Sequence, residues 1–297
     1  MADDLKEGEE ISKESLKRTP IEVGFEVISS PRHADYSADR VVGRVLAGGG
    51  SGIIAAIDGV GSGGRASALA AEVVQKRITN LESMFLEPPT VNRAAEVLKG
   101  AILEGRDQIK DLQREGASEE VDTTVSAAIV AESPGGKRRF LVIANVGDSR
   151  IYRYKPTSGE IEQLTTDHTL AQRLVESGQL TEGEVFGHDD SYKLTKSVGS
   201  LKKAEEIDIK VVKIDEGDVF LAVSDGVTDN MRKDEFQEAL QGEYRAAFDR
   251  KTKKIEPQKI AEGIARRALK IMTDKSIPHR KKDDICVAVL KTTRRPA

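Results

Sequence analysis

Seven short apolar runs, rich in valine and isoleucine, set the narrowest limit on how this chain can fold. They read "IIAAID" (53–58), "TVSAAIVAE" (124–132), "RFLVIANVG" (139–147), "RIYRYK" (150–155), "DIKVVKI" (208–214), "VFLAVS" (219–224) and "ICVAVLKT" (285–292). Each has the length of a strand, and none approaches the ~18 residues of a membrane span. Turn signals punctuate them: "SPGGK" (133–137) joins the second to the third, and "KPTSGE" (155–160) follows the fourth. Tight turns imply antiparallel pairing, because parallel strands need long crossovers. Alanine and leucine at three- and four-residue spacing predict helices over 64–83 and 90–116, and a later pair over 232–241 and 257–274. Strands in hairpins with helices inserted in pairs predict an α+β fold of antiparallel sheets covered by helices.

The chain has 297 residues, 38% of them hydrophobic, which suffices for a sizeable core. Residues 1–20 are polar and aperiodic, and are expected to be a tail; no linker or repeat divides 21–297, so one domain is expected there. Charged residues make up 32%, but the signs nearly cancel at a net −4, which offers nucleic acid no basic face. Trp is absent and aromatics are 4%, so base-stacking platforms are not expected either. Cys286 is the single cysteine, which excludes an internal disulfide and a cysteine-built zinc site. The N-terminal stretch lacks the apolar core of a signal peptide, so a cytoplasmic protein without a membrane partner is expected.

Two of the apolar runs close on Asp-Gly: Asp58-Gly59, at the head of a glycine-rich turn, and Asp225-Gly226. Asp283 and Asp284 stand where the last run begins. In an antiparallel sheet the end of one strand lies beside the start of its neighbour, so these carboxylates can share one sheet edge. Taken singly, Asp-Gly after a strand is also a common turn signal. Clustered carboxylates repel one another and resist desolvation, a penalty that a divalent cation removes. Oxygen donors without Cys or His favour Mg²⁺ or Mn²⁺ over zinc.

In sequence order, "AAIDGVGSGGRAS", "DTTVSAAIVA", "LVIANVGDSRIYRY", "LTTDHTLAQRLVESGQLTEGE", "LTKSVGS", "FLAVSDGVTDNM" and "KKDDICVAVL" resemble the motifs of the type-2C, metal-dependent serine/threonine protein phosphatases. The resemblance implies a central β-sandwich of two antiparallel sheets flanked by pairs of antiparallel helices, with metals at one end. It implies two Mn²⁺ or Mg²⁺ ions bridged by Asp58, with the Gly59 carbonyl on the second ion and Asp225 and Asp283 on the first. Asp148 matches an aspartate that helps hold a third, weaker ion in some relatives, and Asp284 takes the place of a supporting asparagine. The activity implied is hydrolysis of phosphoserine and phosphothreonine in proteins by direct attack of a water held between the ions. Asp58 and Asp225 carry the catalytic role in that scheme, on a chain expected to act as a monomer.

The chain departs from the pattern in several places. Its first motif is "SPRHADYSADRVV": Asp39 fits the family's aspartate, but Ala38 stands where the glutamate should be. Arg32 is the nearest match, two residues displaced, to an arginine that contacts substrate phosphate. Asp35 is a loop residue near this gap. Val60 replaces a histidine that some relatives place after Asp-Gly, which leaves a metal-bound or free water, or another group, as the expected proton donor to the leaving alcohol. Asp122 replaces a glycine. His168 is expected to cap or pack a helix start, and Cys286 to lie in the core. "KTKK" (251–254) and "RKK" (280–282) are expected to be solvated basic faces, and 183–200 a flap beside the site. Ser224 lacks the surroundings of a nucleophile. The competing expectation is a non-catalytic module of the same fold with a weakened metal site.

Overall fold

A computed structural model describes residues 20–31, 37–46, 49–60, 65–115, 121–136, 138–278 and 280–293. Arg32, Asp35, most of the expected tail and the turn 61–64 lie outside the described residues. The strands are β1 (Ile21–Ile28), β2 (Arg40–Val45), β3 (Gly52–Ile57), β4 (Gly59–Val60), β5 (Asp122–Thr123), β6 (Val125–Glu132) and β7 (Arg139–Val146). They continue with β8 (Arg150–Lys155), β9 (Glu160–Gln163), β10 (Asp208–Lys213), β11 (Val219–Val223), β12 (Phe248–Asp249), β13 (Lys254–Ile255) and β14 (Ile285–Thr292). The helices are α1 (Arg65–Asn80), α2 (Val91–Arg114), α3 (Leu170–Glu176), the single turn α4 (Asp225–Thr228), α5 (Lys233–Ala246) and α6 (Pro257–Thr273).

Two five-stranded sheets form, in the orders β1-β14-β11-β8-β9 and β10-β7-β6-β3-β2, and every pairing within them is antiparallel. Period-2 alternation divides each inner strand between two cores. On β14, Cys286, Ala288 and Leu290, with Phe220 of neighbouring β11, face the other sheet and join its Ile54, Ala56, Ala128 and Ile143. Ile285, Val287 and Val289 face outward onto α5 and α6. On β3, Ile53, Ala55 and Ile57 likewise face α1 and α2. Both faces of the inner strands are covered, so β6 and β14 are buried at every position and read as nearly continuous apolar runs. Full burial of a side chain such as Phe220 contributes roughly 1.5–3 kcal/mol.

All seven expected strands form, with ends within two residues of those predicted. Among the described residues seven further strands form, of which β1 and β2 are the longest. Charged residues (Glu22, Glu26, Arg40, Arg44) interrupt their apolar pattern, because both lie at sheet edges with one flank open. Helix α5 runs to Ala246, beyond the expected 241, because Tyr244 packs across to Tyr154 with ring centroids 5.4 Å apart. Among the described residues no helix is long and apolar enough to cross a membrane.

Candidate functional site

Strand ends from both sheets meet at one end of the sandwich. Asp39 precedes β2 and Asp58 follows β3, and the Arg40–Ile57 pairing sets the two aspartates side by side. Asp225 follows β11 and Asp283 precedes β14, which are neighbours in the other sheet. Asp148 lies in the turn where the chain passes from β7 in one sheet to β8 in the other. The carboxylates are therefore gathered across the gap between two sheets rather than along one sheet edge as the sequence suggested. The tight turns that set pairing within each sheet say nothing about which sheet a strand joins.

The backbone around Asp58 is held by the "DTT" segment. Thr123 Oγ1 donates to the Asp58 carbonyl at 2.6 Å, and the Thr124 amide donates to the same carbonyl at 2.8 Å. The Asp58 amide donates to Thr124 Oγ1 at 3.3 Å. Gly59 is required by close approach: a Cβ there would lie 2.7 Å from the Ser67 carbonyl oxygen and 2.9 Å from that of Ala38. Gly226 is tighter still, since its Cβ would fall 1.9 Å from the Asp284 carbonyl oxygen. Asp284 ties the first motif down as a supporting residue, with Oδ1 accepting from the Ser30 amide at 2.6 Å and Oδ2 from the Ala38 amide at 2.5 Å. Ala38 thus reaches the site through its backbone.

The side chains carry unmatched charge. Among the described residues, both carboxyl oxygens of Asp39, Oδ1 of Asp148 and Oδ1 of Asp225 are buried without a hydrogen-bond partner. Asp58 and Ser224 lie near Asp39 but outside hydrogen-bonding geometry. Burial pushes Asp39 up to about 8, with Asp283 and Asp225 adding repulsion. Burial also raises Asp58 well above the usual carboxylate range, reinforced by Asp225, Asp39 and Asp283. Asp148 is raised by burial and then by Asp225. Asp283 is raised to about 6 by burial and by Asp225. Among the described residues no three Asp, Glu, His or Cys side chains are placed so that they could by themselves hold a metal ion. The fit to a cation rests on the orphaned oxygens, which a divalent ion with several waters satisfies and no protein donor does.

Two residues of the cluster escaped the sequence reading. Asp229 stands one helical turn after Asp225, a spacing that places both on one face. Lys281 was expected among solvated basic residues; instead its side chain is 25% exposed and its ammonium pairs with Asp225, with Asp229 at 3.0 Å and with Asp283 at 3.1 Å. Burial opposes its charge, but Asp225, Asp229 and Asp283 outweigh that and raise it well above the usual lysine value. Its position two residues before Asp283, in the segment that leads into β14, was the available signal.

The remaining candidates are structural. Asp122 accepts from the Gly199 amide at 2.6 Å and from Ser197 Oγ at 2.6 Å, which pins the end of segment 183–200 to the site. Tyr192 of that segment lies against Lys281, 4.9 Å from ring centroid to Nζ. Thr169, not His168, caps α3; His168 Nδ1 instead accepts from the Gly147 amide at 2.9 Å. Ser224 Oγ accepts from the Cys286 amide at 3.0 Å, and Cys286 is buried in the inter-sheet core.

A family model described as Protein phosphatase 2C matches residues 35–269. A putative protein phosphatase 2C-type protein of Streptococcus pyogenes serotype M6 is 31% identical over 180 residues, covering 60% of this chain and 68% of that protein. The serine/threonine phosphatase stp of Listeria monocytogenes is 36% identical over 118 residues, which is 40% of this chain and 43% of that relative. Among solved structures, the catalytic domain of the serine/threonine protein phosphatase PstP in complex with 2 manganese ions has a TM-score of 0.68 at 18% identity. The match covers 92% of this chain and 99% of that one, a likeness that speaks for the fold.

Proposed function

Because the chain belongs to the protein phosphatase 2C family, we propose that its carboxylate cluster is the divalent-metal centre with which it hydrolyses phosphoserine and phosphothreonine in proteins. It is a serine/threonine protein phosphatase, and the family's divalent-metal dependence applies to it. The observation that carries the site reading is the set of buried, unpartnered oxygens on Asp39, Asp148 and Asp225, from strand ends of both sheets.

Asp58, Asp225 and Asp283 would hold one ion, and Asp58, the Gly59 carbonyl and Asp39 a second, with Asp148 beside a third and weaker one. Bound cations supply charge that neutralises phosphoryl oxygens and activate water as the nucleophile. The chain's own residues hold that arrangement. Thr123 and Thr124 fix the Asp58 backbone, Asp284 fixes the first motif, and Asp122 fixes the end of the segment that borders the site. No cysteine competes as nucleophile, since burial in the core raises the Cys286 thiol well above its usual value. Val60 offers no proton, so protonation of the leaving alcohol falls to solvent.

Phosphoproteins are the substrate class, and a cytoplasmic monomer is the setting proposed; the net charge of −4 supports a partner other than nucleic acid. A non-catalytic role fits less well, because a chain that held no metal would gain nothing from clustering unpaired carboxylates. The test is Mn²⁺-dependent release of phosphate from a phosphothreonine peptide. EDTA abolishes it in the wild type, and Asp58→Asn and Asp225→Asn each lower kcat/KM by about 100-fold or more. Full activity in either variant would overturn the assignment.

A further inference from the structure

An ammonium group stands inside the carboxylate cluster, and the phosphatase reading makes no use of it. Lys281 Nζ takes the Oδ2 atom of each of three carboxylates, those of Asp225, Asp229 and Asp283. The other oxygen of Asp225 is left buried and unpartnered, as are both of Asp39 and Oδ1 of Asp148. Lysine therefore occupies one side of the cluster and leaves a separate set of oxygens to an ion that must share Asp225 and Asp283 with it.

We propose that Lys281 is a resident counter-ion of the centre whose charge opposes the entry of the divalent cation, so that this one residue sets how tightly the chain takes up metal. The inference rests on the metal-centre reading above. Two effects of Lys281 act in opposite directions. By bonding three carboxylates it orders them, which favours ion binding; by its charge it repels a doubly charged ion bound to the same side chains. The carboxylates already sit on fixed strand ends and a helical turn, so little ordering remains to be gained. Repulsion between neighbouring charges in a partly dehydrated site is large and weakly screened by salt. Repulsion wins, and removing the ammonium tightens metal binding. A purely structural lysine predicts the opposite sign.

The experiment is calorimetric titration of Mn²⁺ into metal-stripped full-length wild type, Lys281→Met, Lys281→Gln and Lys281→Arg at fixed pH and salt. Glutamine still donates to the carboxylates and preserves the fold should methionine not. The expected result is a Kd lower by about tenfold or more in the neutral variants, and a value within about threefold of wild type in Lys281→Arg. The metal-free Tm of the neutral variants should fall, since three carboxylates lose their charged partner. Equal or weaker Mn²⁺ binding by Lys281→Gln overturns this inference and leaves the metal centre standing. No Mn²⁺ binding by wild type and Lys281→Gln alike overturns both.

Discussion

Asp39 shows what a residue in such a centre costs when no ion neutralises it. Burial pushes its folded pKa up to about 8 from the ordinary 3.8, so the folded chain binds the proton more tightly than the unfolded one. The stability this contributes is complete below the lower value and is lost as pH rises through the upper one. Asp39→Asn removes the penalty. In metal-free protein its stability advantage over wild type should therefore grow from pH 3.8 to about 8 and level off beyond, as measured by urea unfolding. After relaxation of the site the plateau is on the order of 1–3 kcal/mol. An advantage that stays flat with pH would show that Asp39 is ionised at no cost. At this scale much of the centre was legible, because Asp58, Asp225 and Asp283 each mark a boundary of an apolar run. Lys281 was not, since a lysine in "RKK" reads as solvated until the strand it precedes is known to be central.

Elements in this fold are positioned by approaches that only glycine permits. Gly226 lets the turn α4 (which carries Asp225) press against the chain entering β14, the segment that carries Asp283. Gly226→Ala must push these apart, since the new methyl would overlap the Asp284 carbonyl. Urea unfolding should register a loss of roughly 1–3 kcal/mol, and an unchanged midpoint would mean that the contact yields freely. The same element explains what could and could not be read beforehand. The apolar runs predicted β11 and β14 because both of their faces are covered, whereas β1 and β2, half open at the edges, gave mixed patterns. An edge does not always hide a strand, since β10 is one too and its Ile and Val run was legible; in β1 and β2 the interspersed charges masked the pattern.

The whole molecule draws its carboxylate cluster from both sheets, so an ion held by the proposed centre would fasten the sandwich. Mn²⁺ at 100 times its Kd should add about 2.7 kcal/mol to the unfolding free energy by mass action, read as a rise in Tm that EDTA reverses. A Tm indifferent to Mn²⁺ would mean that the sheets meet without it. The sequence foretold layers and partners within a sheet but not the crossing between sheets, because local turns carry no information about which face packs on which. One topological fact reaches further. Among the described residues β1 pairs only with β14, and β14 lies between it and β11. During synthesis the earliest strand must wait for the latest, and Asp283 arrives with it. A nascent chain still short of that strand has an unfinished sheet and a carboxylate cluster without Asp283, so the two are completed together.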